Sequence, residues 1–146
     1  MITEEYVSFE TAKLLKEKGF DYYPDGSYWL IDANNVMYWV SEIGAYDYVD
    51  VPTESFQRPK NGYRLVTQAM AMKWLREVHH LFIGVEPRLS FTDYYWITAN
   101  VYRVRKKNSL YHAEPVDDYS CVACCDGHSF EDACESALKY CLENLI

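Results

Sequence analysis

Three stretches of the chain repeat apolar residues at spacings of three and four, and the stretches between them alternate or run apolar over short lengths. In "VSFETAKLLKEKGF", Phe9, Ala12 and Leu15, with Leu14 alongside, share one side of a helix, while Lys13, Lys16, Glu17 and Lys18 fall on the other. Ser8 stands where an N-cap oxygen meets the free amides of the first turn, and Val7 and Ala12 are placed for a hydrophobic staple. Gly19 supplies a left-handed residue after the last turn, and Phe20 falls where a Schellman ending packs back on Leu15.

The second helical stretch is "TQAMAMKWLREVHH", with Thr67 as its cap. Met70, Ala71, Trp74, Leu75, Val78 and Leu81 line one side, and Lys73, Arg76, Glu77 and both histidines line the other. The third is "SFEDACESALKYCLENLI". Ser129 and Asp132 form an acidic capping box, and Ala133, Cys134, Ala137, Leu138, Cys141, Leu142 and Leu145 make the clearest stripe in the chain.

The intervening texture is that of strands. "FDYYPDGSYWLIDANNVMYWVSE" carries aromatic and β-branched runs broken by Pro24-Asp25-Gly26 and Asn34-Asn35, which predicts a meander of two or three strands. Residues 44–62, with Pro52, Pro59 and Asn61-Gly62, read as a long loop. After the second helix, "LFIGVEP", "YYWITANVYRVR" and "YSCVACC" read as strands separated by polar turns. Runs of strands between helices, without β-α-β alternation, imply an α+β fold. The expected arrangement is three amphipathic helices packed on a Tyr-rich, mainly antiparallel sheet of about five or six strands. With 146 residues and no linker or repeat, residues 1–146 are expected to form a single domain.

Composition changes this picture in three ways. Fourteen tyrosines, with four Trp and six Phe, favour half-buried sheet faces and interfaces, because the ring packs while the hydroxyl seeks a partner. A net charge of −8 argues against a general affinity for nucleic acid or anionic membranes. No stretch approaches the ~18 apolar residues of a membrane span, and "MITEEYVSFE" lacks the basic and apolar regions of a secretory signal. Five cysteines, an odd number, then read as reduced thiols in a cytoplasm.

The densest candidate chemistry is "SCVACCDGHSF". Cys121, Cys124 and His128 could supply three ligands to a metal, but no second Cys-x-x-Cys knuckle provides the fourth. If the segment is a strand, period-two alternation puts Cys121 and Cys124 on opposite sides, so the expectation is packing sulfur, no metal and no cofactor. Cys134 and Cys141 sit on an apolar stripe, where a free thiol behaves as a small hydrophobe.

Two basic groups remain as candidate anion- or partner-binding residues. Lys73, Arg76 and His80 lie along one strip of the second helix, and Arg103 and Arg105 belong to "RVRKKN", which reads as a charged hairpin tip that keeps an edge soluble. The acidic, tyrosine-bearing segments "AYDYVDV" and "VDDY" read as solvated loops. No P-loop, GxGxxG, GxSxG or HExxH pattern is present.

The three helical blocks resemble those of small proteins without assigned activity encoded by gut Bacteroides genomes and by their phages or integrated elements. The similarity covers the first twenty or so residues, roughly 67–83, and the last eighteen. It implies a cytoplasmic, phage-linked protein and carries no activity and no site residues. Together the residues and the resemblance favour a non-enzymatic interaction protein that binds a protein partner or a second copy of itself. A binder of, or enzyme for, a small nucleotide-like anion stands second, and a metal protein through Cys121, Cys124 and His128 third.

Overall fold

Ser8 opens the first helix as its side chain dictates: the hydroxyl oxygen accepts from the Thr11 amide at 3.2 Å, and helix α1 runs Phe9–Glu17. The computed structural model describes residues 4–40, 46–48, 62–89, 95–116, 121–123 and 129–146. Helix α1 buries Thr11, Ala12 and Leu15. It ends in the expected Schellman geometry. Phe20 donates its amide to the Leu15 carbonyl at 2.9 Å and Gly19 to that of Lys16 at 3.2 Å, with Gly19 at φ +87°.

Strands β1 (Tyr28–Ile31) and β2 (Met37–Val40) then pair antiparallel, with Trp29 opposite Trp39 and their rings 5.0 Å apart. The carboxylate of Asp32 holds the turn between them. One oxygen accepts the Asn34 and Val36 amides at 2.8 and 3.0 Å, and the other accepts the Tyr38 hydroxyl at 2.9 Å. Strand β3 (Tyr46–Tyr48) pairs with β2, so part of the segment expected to be loop joins the sheet instead; most of the remainder lies outside the described residues. Strand β4 (Tyr63–Arg64) pairs with β1 and completes the order β3-β2-β1-β4. The Val7 amide donates to the Val66 carbonyl at 3.0 Å, and the Phe9 ring meets Tyr63 edge-on at 5.5 Å, which ties α1 to the end of this segment.

These elements make up one of two compact units, Met1–Thr67; the other is Gln68–Ile146. The second unit holds helices α2 (Gln68–His79) and α3 (Phe130–Asn144), with strands β5 (Leu81–Leu89), β6 (Tyr95–Lys107), β7 (Leu110–Pro115) and β8 (Cys121–Ala123). Strand β6 is the spine of its sheet, pairing antiparallel with β5 along nine residues, with β7 from Tyr102 to Lys107 and with β8 from Thr98 to Asn100. Helix α2 packs on β5, α3 packs on β5 and β6, and the two helices touch each other.

The α3 stripe of Ala133, Cys134, Ala137, Leu138, Cys141 and Leu142 is fully buried. It forms the core with Trp74 and Leu75 of α2 and with Leu81, Ile83, Ala99 and Val101 of the sheet. The predicted capping box is present: Ser129 accepts from the Asp132 amide at 3.2 Å, and Asp132 accepts from that of Ser129 at 3.4 Å.

Three expectations need correction. One sheet of about five or six strands was implied, whereas the described strands form two four-stranded sheets. The chain returns to β1 through β4 just before α2, and after α2 the strands β5, β6 and β7 pair in sequence order while β8 returns to β6, so each sheet is completed by strands of its own unit. Val78 stands 46% exposed rather than in the stripe. Gln68 is buried in this unit instead, because its amide nitrogen donates to the Glu131 carbonyl at 3.0 Å and to the Glu135 carboxylate at 3.3 Å. Finally, "LYHAEP" forms β7, a strand that the sequence pattern does not announce.

Candidate binding surfaces

Within the second unit, the sequence-derived basic residues separate into two places. Lys73 and Arg76, one helical turn apart on α2, both stand exposed over a cleft of about 360 Å³ whose apolar walls include Met70, Met72, Phe82 and Ile83. His80 is not among the residues lining it. It leaves the helix at φ +57°, and its carbonyl accepts the Val104 amide at 2.8 Å, so its backbone ends α2 and fastens β6. Of the expected strip of Lys73, Arg76 and His80, the cleft therefore keeps only the pair Lys73 and Arg76.

Arg103 and Arg105 lie on the β6–β7 ribbon. Cross-strand register places Arg103 opposite Glu114 and Arg105 opposite His112, so the two arginines share one face. The Arg105 guanidinium reaches Glu114 at 3.9 Å; with both side chains more than half exposed, the pair contributes little. The two-residue turn at Asn108 and Ser109 has φ of +50° and +71°, the backbone of a type I′ hairpin. From Arg105 to Pro115 every residue is exposed on both faces, and Leu110 and Tyr111 at the tip retain 65% and 75% of their surface.

His79 is packed edge-on against Trp74 at 4.5 Å, and its Nε2 is buried without a hydrogen-bond partner among the described residues. Burial, and then the neighbouring charge of His80, lower its pKa. Burial pushes the Cys134 and Cys141 thiols up to about 12; at Cys134 the carboxylates of Glu135 and Glu131 add to the effect. These two thiols are core atoms, with the Cys134 sulfur 3.5 Å from that of Met72. The Cys121 backbone lies in β8, while Cys124, Cys125 and His128 fall outside the described residues, as do Asp117, Asp118 and Tyr119 of "VDDY".

Sequence reasoning missed a constellation in the first unit. Arg64 of β4 extends its guanidinium over two tyrosine rings, 4.2 Å from the centre of Tyr28 and 5.0 Å from that of Tyr23, and donates through Nη2 to the Pro24 carbonyl. Lys16, at the end of α1, places its ammonium 6.0 Å from the same Tyr23 ring. Phe20, delivered by the Schellman turn, meets the Tyr23 ring edge-on at 4.9 Å. Lys16, Tyr23, Tyr28, Leu30, Tyr63 and Arg64 line a cleft of about 340 Å³. Burial raises the Tyr23 phenol pKa, against the opposing pull of Arg64. Each of these residues is ordinary in the sequence; the only early hint is the excess of tyrosine.

No family model, no curated protein and no solved structure matches this chain. The resemblance carried by the helical blocks gains no support from these comparisons, and the surfaces are read on their own chemistry. Among the described residues no helix is long and apolar enough to cross a membrane, and no group of three or more His, Cys, Asp or Glu is placed to hold a metal ion.

Proposed function

We propose that the chain is a non-enzymatic binding protein that engages an acidic protein surface through its β6–β7 ribbon, as an accessory protein of a phage or mobile element. One observation carries the binding reading: β7 is exposed along its whole length, and its tip presents Leu110 and Tyr111 beside Arg105, Lys106 and Lys107. A two-stranded ribbon with no covered face is marginal in water, and large apolar side chains left exposed next to cations suit anchors that a partner covers. Complementary charge steers such an encounter and sets its register. The overall net charge of −8 favours a protein over a nucleic acid as the partner, and a second copy of this acidic chain is one such protein. The assignment to phages or mobile elements, and with it a cytoplasmic setting, rests on the helical blocks alone. An aromatic, tyrosine-laden sheet as a second recognition surface belongs to the same proposal, supported by the half-buried Trp29–Trp39 ring pair across β1 and β2.

Light scattering on the purified chain, followed by capture from host lysate and reconstitution with the purified captured protein, tests the reading. The expected result is a complex, or a dimer, that is lost when Lys106 and Lys107 become Glu or Tyr111 becomes Ser. A strict monomer whose captured proteins are the same with and without those substitutions would overturn it. The small-anion reading finds better ground in the first unit, and elemental analysis of the purified chain decides the metal reading.

A further inference from the structure

The cleft of the first unit has a composition that stands out against the rest of the chain. In a protein with twenty-two carboxylates and fourteen cations, it brings together two cations and three phenols, and none of its lining residues is acidic. Neither Lys16 nor Arg64 pairs with a carboxylate among the described residues. Both cations lie within 6.0 Å of one ring, that of Tyr23, so their charges converge instead of dispersing into solvent.

Arg64 is also fixed. Its guanidinium is held over two rings and tied to the Pro24 carbonyl, and its Nε–H is buried without an acceptor among the described residues. A planar donor group immobilised in this way loses little freedom on binding an anion, which is the advantage of arginine over lysine at such sites. Tyrosine hydroxyls add neutral donors, and burial raises the Tyr23 phenol pKa. The cleft, at about 340 Å³, lies within the range of small-molecule sites and is larger than a bare inorganic anion needs. Leu30 and the tyrosine rings offer the remaining volume an apolar, aromatic wall.

We propose that this cleft binds a small organic phosphate, with the phosphate group received by Lys16 and Arg64 and its organic body set against Tyr28, Tyr63 and Leu30. A tetrahedral dianion uses more of the clustered donors than a carboxylate does, and charge-assisted hydrogen bonds supply most of the selectivity. The site is independent of the ribbon and shares no residue with it.

Calorimetric titration of the whole chain with phenyl phosphate, adenosine 5′-monophosphate, inorganic phosphate and adenosine tests the proposal. The two organic phosphates are expected to bind at least about tenfold more tightly than adenosine and than inorganic phosphate, the scale of one charge-assisted contact. Lys16→Glu reverses one charge at an exposed position, so the chain still folds, and it is expected to weaken organic phosphate at least about tenfold. Lys13→Glu makes the same charge change at an exposed position of the same helix, outside the cleft, and is expected to leave binding unaltered. Equal affinity for adenosine and its monophosphate, undiminished binding by Lys16→Glu, equal losses in both variants, or no binding by any of these probes would each overturn it. None of these outcomes bears on the ribbon.

Discussion

The two units use aromatic and charged residues in opposite ways. In the second, packing is done by small and branched side chains: six α3 residues, Trp74 and Leu75 of α2 and four sheet residues close the core, and the basic side chains stand outside it on α2 and the ribbon. In the first, strands of two to four residues bury single side chains such as Leu30, Ile31 and Val40, while Val7, Leu15 and Phe20 are buried outside the strands. Rings, the Asp32 carboxylate and the Arg64 guanidinium make the joints there. The difference is one of separability. Charge displayed on a finished core can be altered without disturbing it, whereas in the first unit Arg64 both bridges the Tyr23 and Tyr28 rings and lines the cleft.

The largest effect should come from the α3 core. Leu138→Ala removes a fully buried side chain and is expected to cost about 2–5 kcal/mol, read by urea denaturation, whereas Val78→Ala should stay within about 0.5 kcal/mol. Equal costs for the two would mean that the α3 stripe does not organise the second unit. In the first unit the corresponding weak point is polar. Asp32→Ala strands two backbone amides and the Tyr38 hydroxyl and is expected to cost about 1–3 kcal/mol, with Asp32→Asn costing less because one acceptor remains. If Asp32→Ala proves neutral, side-chain joints do not hold that unit.

A smaller effect follows from His79. Its folded pKa is lowered, so the unfolded chain binds the proton more readily, and the stability this residue contributes above its ordinary pKa of 6.5 is lost as pH falls through the lowered value. The melting temperature should therefore decline as pH falls below about 6.5, and His79→Gln should flatten that decline. The smallest change is the absence of one. With their thiols pushed up to about 12 and fully buried, Cys134 and Cys141 should resist iodoacetamide at pH 8 in the folded chain and react once it is unfolded, as mapped by mass spectrometry.

What could be read from the sequence follows the same division. The α3 capping box and stripe, the Schellman ending at Gly19 and the charged hairpin all depend on residues a few positions apart, and all three stand in the structure. Strand β7 escaped because neither of its faces is buried, so "LYHAEP" has no reason to alternate. Gln68 escaped because its partners are Glu131 and Glu135, more than sixty residues away. The Lys73–Arg76 pair was visible as neighbours on a helix, but His80 left that helix through a left-handed turn. The Arg64 cleft could not be found locally. It joins the end of α1, the segment after it and a two-residue strand forty positions on, and periodicity assigns Lys16 only to a wet helix face.

The most direct test of the account is to compare partner binding by the wild-type chain and by a chain carrying Lys106→Glu, Lys107→Glu and Tyr111→Ser, each at an exposed ribbon position. Because these side chains lie outside the core, the substituted chain should melt like the wild type yet bind the reconstituted partner, or itself, at least about a hundredfold more weakly, a loss of roughly 2.7 kcal/mol. Undiminished binding by the substituted chain would contradict the assignment of the ribbon.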